Sequence, residues 1–63
     1  MKFDIIGLPK IHNRYVIAWL GEATAKFYFW ASYNSKVLAE FKVKDLNRDD
    51  PFTTFVVIDT KEE

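Results

Sequence analysis

Residues 26–44 read KFYFWASYNSKVLAEFKVK, five aromatic side chains in eight positions and then a stretch of alternating character. In that second stretch, 36–44, Val37, Ala39, Phe41 and Val43 alternate with Lys36, Leu38, Glu40, Lys42 and Lys44. Side chains of a strand alternate between its two faces, so this spacing predicts a strand with a core side and a wet side. It also sets the register of the preceding stretch. With 34–36 as a three-residue hairpin loop, Tyr33 faces Val37, Ala31 faces Ala39, Phe29 faces Phe41 and Phe27 faces Val43. Matched apolar pairs stabilise a sheet, whereas a two-residue loop sets Phe29 against Glu40 and Phe27 against Lys42. The longer loop is therefore expected. Phe27, Phe29, Ala31 and Tyr33 then enter the core, and Lys26, Tyr28, Trp30 and Ser32 turn outward beside Leu38, Glu40 and Lys42.

Turn signals divide the rest of the chain. GLPK (7–10), GEA (21–23), NSK (34–36) and NRDDP (47–51) separate five segments, about 2–8, 13–20, 24–33, 36–46 and 52–60. Their spacing and their Val, Ile, Phe, Tyr and Thr content predict a mostly β fold, a small antiparallel five-strand meander or partly closed barrel. Tyr15, Ile17 and Trp19 oppose Val16, Ala18 and Leu20 in one segment, and Phe52, Thr54, Val56 and Ile58 oppose Phe55 and Val57 in another. Strands apolar on both faces need a covering layer. Barrel closure, a helix or a second chain would supply it. The alternative is an α+β arrangement with one helix at 10–20, between Pro9 and Gly21, packed on a four-stranded antiparallel sheet.

A chain of 63 residues is one domain, spanning 1–63, and it buries only about 60% of the surface its unfolded form exposes. No cysteine is present, which excludes disulfides and thiolate metal sites and suits a reducing cytoplasm. The start MKFDIIGLPK lacks the apolar run of a signal peptide, and YVIAWL is far too short to span a bilayer. Charge is unevenly placed. Residues 1–44 carry seven basic and three acidic side chains, residues 45–63 two and six, so a basic portion of +4 precedes an acidic one of −4.

Chemistry-bearing motifs are few. Asp45, Asn47 and Asp49 match the opening of a calcium-binding EF-hand loop, but Asp50 stands where its glycine is required and Val56 where its bidentate glutamate is required. His12 has no cysteine nucleophile to activate, and no G-x-S-x-G elbow accompanies Ser32 or Ser35. No enzyme, metal or cofactor is expected. The outward side chains Lys26, Tyr28, Trp30, Leu38, Glu40 and Lys42 instead make an aromatic patch with a charged rim, the composition of a protein interface. The expected function is a small non-catalytic protein-binding module. Its partner is a host factor, as for a phage- or plasmid-type inhibitor, or a second copy in a homodimer. The competing function is single-stranded nucleic-acid binding, with bases stacking on Tyr28 and Trp30 beside Lys26, Lys42 and Lys44.

Overall fold

The computed structural model describes residues 5–61. Its elements are Ile5–Ile6 (β1), Tyr15–Gly21 (β2), Lys26–Tyr33 (β3), Lys36–Asp49 (α1) and Phe55–Asp59 (β4). The sheet has the order β1-β3-β2-β4, with β2 antiparallel to both its neighbours and the two-residue β1 parallel to β3. The fold is α+β, one helix on an open four-stranded mixed sheet, and the expected five-strand meander or barrel is wrong. The alternative of a helix on four strands has the right composition, with the helix displaced. Residues 15–21 are a strand, and the helix is the stretch that alternates. Residues 2–4 of the first expected segment lie outside the described residues, as do Lys2, Asp4, Glu62 and Glu63 of the charge division.

KVLAEFKVK satisfies two periods at once. Val37, Ala39, Phe41 and Val43 repeat every second residue, whereas Ala39, Val43 and Leu46 recur at helical spacing. Composition and ends favour the second. Leu, Ala, Glu, Lys and Arg are good helix formers, and over fourteen residues their small preferences add. Ser35 is the extended N-cap, its hydroxyl accepting the Leu38 N–H at 3.4 Å. At the other end the Asp50 N–H closes onto the Leu46 carbonyl at 2.9 Å, and Pro51 cannot continue the helix.

The second departure is in β3. Ile17 pairs with Ala31 and Ala18 with Phe29, leaving Trp30 as the extra residue of a β-bulge. The bulge breaks the alternation, so Phe27 and Phe29 do not share a face with Ala31 and Tyr33. The ladder puts Phe27 with Leu20, and Phe29 with Ala18 and Val56. On the opposite face lie Tyr15, Ile17 and Trp19, with Tyr28, Ala31 and Tyr33 on one side and Phe55, Val57 and Asp59 on the other. The helix covers this second face, because Lys42 Nζ lies over the Trp30 ring and Trp30 meets Phe55 edge-on.

Val16, Ile17, Ala18 and Ala39 are the fully buried apolar residues among those described. Three belong to β2, which is paired along its length with β3 on one side and β4 on the other. The outer edge of β4 is partly closed by the helix. Leu20 donates to the Thr54 carbonyl and Thr60 to that of Arg14, so alternate residues face β2 and the Phe55 N–H and C=O point away from it. The Asn47 carboxamide meets both, accepting the Phe55 N–H at 3.2 Å and donating to its carbonyl at 3.4 Å. It stands where the peptide of another strand would stand. Replacing Asn47 by Ala removes both bonds, and a loss of about 0.5–1.5 kcal/mol is expected in urea unfolding. An unchanged midpoint would show that neither bond matters to folding.

Candidate functional site

The six side chains expected to form one patch are distributed over two elements. Lys26 begins β3 and is exposed. Leu38, Glu40 and Lys42 lie on α1, so they do not face β3 as members of a paired strand. Trp30 and Lys42 do come together, with Nζ 5.5 Å from the ring centroid. Leu38 is one helical turn from Lys42 on the same flank. Glu40 is turned elsewhere, toward Lys36 at 4.0 Å.

Tyr28 and Trp30 share a face, as expected, and it is the helix-bearing one. The Tyr28 ring stacks on Trp19 at 4.6 Å with an interplanar angle of 21°. Its hydroxyl lies 3.0 Å from Thr24 Oγ1 in the β2–β3 turn. The ring also occupies the space above Gly21, where an added Cβ would lie 2.6 Å from Tyr28 Cε2. Trp30 remains 40% exposed, meeting Phe55 at a centroid distance of 6.4 Å and an angle of 83°. Both rings therefore already have partners, which leaves less free π surface for stacking bases than an outward-facing strand would.

Two features were not anticipated. One is an open cleft of about 270 Å³ lined by Trp19, Trp30, Asp50, Thr53 and Phe55, where α1 ends and the sheet is no longer covered. The signal for it lies in DPF (50–52), the turn that follows the helix. Asp50 shapes that turn, Oδ1 accepting the Phe52 N–H at 3.3 Å and Oδ2 the Thr53 hydroxyl at 2.7 Å. The other is the outer side of α1. Val37, Leu38 and Phe41 are 72%, 53% and 65% exposed, at i, i+1 and i+4. The strand reading puts Val37 and Phe41 on the core side, whereas helical geometry turns them to solvent.

The calcium-like spacing is put to other uses. Asp45 and Asp49 lie 3.4 and 3.5 Å from Arg48, and Asn47 is committed to Phe55. Among the described residues no three metal-ligating side chains converge. The described helix is also not long and apolar enough to cross a membrane. Compared with known protein families, with curated proteins and with solved structures, the chain matches none.

Gly21 is fixed by the Tyr28 ring rather than by its own backbone angles. The Gly21→Ala variant must push the ring aside, so it should lose about 1–3 kcal/mol of stability. The Trp19–Tyr28 contribution to near-ultraviolet circular dichroism should fall with it. Retention of both would mean that the ring moves without cost.

Proposed function

We propose that this protein is a non-catalytic protein-binding module and that the outer ridge of α1 is its contact surface. The observation that carries this reading is the exposure of Val37, Leu38 and Phe41 side by side on a helix whose opposite side is packed. Each such side chain gains about 1.5–3 kcal/mol when buried. Phe41 lies four residues after Val37 and three after Leu38, two of the spacings by which a helix docks its anchors into an apolar groove. The ridge changes character along its length. Lys44, Asp45 and Arg48 follow Phe41, so an apolar first half leads into a charged second half. The apolar anchors would supply affinity, and the charges would set orientation.

This reading keeps Leu38 from the expected patch and moves its centre from β3 to the helix, while Lys42 stays with Trp30. The partner is a foreign protein bearing a groove, which would suit an inhibitor of a host factor in a reducing cytoplasm. Nucleic-acid binding remains the competing function. Titration with short single strands at low salt separates the two, because phosphate-dominated binding is strong there and weakens steeply as salt rises.

A photo-cross-linking side chain at position 41 should give a discrete adduct in the cells that make this protein, and the same group at Ala23 in the β2–β3 turn should not. The double variant Val37→Ser, Phe41→Ser should abolish binding of the captured partner while changing stability by no more than about 1 kcal/mol. If position 41 gives only free chain, the ridge is not the contact surface. An adduct of twice the chain mass identifies a second copy as the partner.

A further inference from the structure

The cleft at the end of α1 is separate from the ridge, and its parts share one electrostatic preference. Trp19, Trp30 and Phe55 supply aromatic surface, whose π faces are electronegative. Asp50 supplies a carboxylate that makes no ion pair among the described residues. Its two oxygens accept from neutral donors, the Phe52 N–H and the Thr53 hydroxyl, so its formal charge is not cancelled. The C-terminal end of α1, at Asp49, brings the negative pole of the helix dipole to the same corner. Trp30 already attracts one ammonium within the molecule, that of Lys42 at 5.5 Å.

We propose that this cleft binds an organic cation of the alkylammonium class, with a methylated or quaternary head seated against the rings of Trp19, Trp30 and Phe55 and balanced by Asp50. Size favours a head group. A volume of about 270 Å³ lies just below the range of roughly 300–1,000 Å³ that accommodates a drug-sized ligand. The lining selects the degree of methylation. A bare ammonium brings three donors, and the cleft offers side-chain oxygens only at Asp50 and Thr53. A quaternary head brings no donor, sheds its hydration more readily and is attracted by ring faces. Lys42 works against a second cation at Trp30, so its charge limits the affinity of the site. Such a head is found on free small molecules and on methylated lysine side chains.

The test is a titration of the full chain with choline, following the indole N–H signals of Trp19 and Trp30 by nuclear magnetic resonance. Sodium chloride at equal ionic strength and 3,3-dimethylbutan-1-ol, the neutral isostere of choline, are the controls. Saturable shifts with choline, in about the millimolar range suited to so few ligand atoms, and none with the isostere are expected. Asp50→Asn, which keeps an acceptor for the Phe52 N–H, should weaken choline binding roughly three- to fivefold while circular dichroism confirms the fold. Lys42→Met, which keeps the apolar stem, should tighten it by a few-fold. A trimethyl-lysine peptide that binds more tightly than choline identifies a partner-borne ligand, and equal affinity identifies a free one. Equal response to the isostere, no saturable response to choline, or binding indifferent to Asp50→Asn would overturn the proposal. Because neither Val37 nor Phe41 lines the cleft, failure here leaves the ridge untouched, and failure of the ridge leaves the cleft untouched.

Discussion

The strand order imposes the constraint on which the rest of the structure depends. β3 and β4 lie on either side of β2 and are both antiparallel to it, so they run in the same direction. Parallel strands cannot be joined by a tight turn, and the connection must cross the sheet over the strand between them. Residues 34–54 make that crossing, and the helix is its middle. It begins beside the end of β3 and finishes beside the start of β4, bringing Asn47 to the Phe55 backbone. The same path covers Ile17 and brings Lys42 to Trp30. Where it ends, it leaves uncovered the corner that becomes the cleft.

So small a molecule has one layer to spend on a sheet that is apolar on both sides. The helix takes the face of Ile17, Trp19, Phe55 and Val57. The other face carries Val16, Ala18, Leu20, Phe27, Phe29, Val56 and Ile58, of which Val16 and Ala18 are fully buried and the rest half-buried. On that side Asn13 donates its backbone N–H to Ser32 Oγ at 3.0 Å, drawing the 7–14 connection against the sheet. Aromatic rings make up part of the shortfall. Tyr28 fills the space above Gly21 and stacks on Trp19, and Trp30 reaches Phe55 across the sheet. These rings do structural work that a larger protein would give to a second helix.

Much of this arrangement was legible in the residues. The turn after β2, the two-sided character of β2 and β4, and the common face of Tyr28 and Trp30 follow from local pattern. Of the turn expected at 47–51, however, residues 47–49 belong to α1, and the chain turns only from Asp50 onward. The helix did not follow, because nine residues of alternating character satisfied a strand as well as a helix. Their helix-forming composition, Ser35 before them and Leu46 after them decide for the helix. The bulge was equally hidden, since an irregular ladder position leaves the composition of β3 unchanged. Misplacing both put Val37 and Phe41 in the core and Leu38 opposite the aromatic strand. The parallel pairing of β1 had no signal in two residues. The cleft was illegible for a different reason: its walls come from three strands and a turn, and only the crossing brings them together.

The bulge has an evolutionary side. Trp30 is the residue that the β2–β3 ladder does not count, for the pairs on either side of it would be in regular succession if it were absent. An in-frame loss of that single codon would therefore leave the hairpin pairing unchanged, whereas a loss at Phe29 or Ala31 could keep it only by drawing Trp30 into the vacated place. A lineage could acquire or discard the indole without redesigning its sheet, and with it one wall of the cleft and the ring held beneath Lys42. Length variation at this one position is a route by which such a fold can change its surface while keeping its topology.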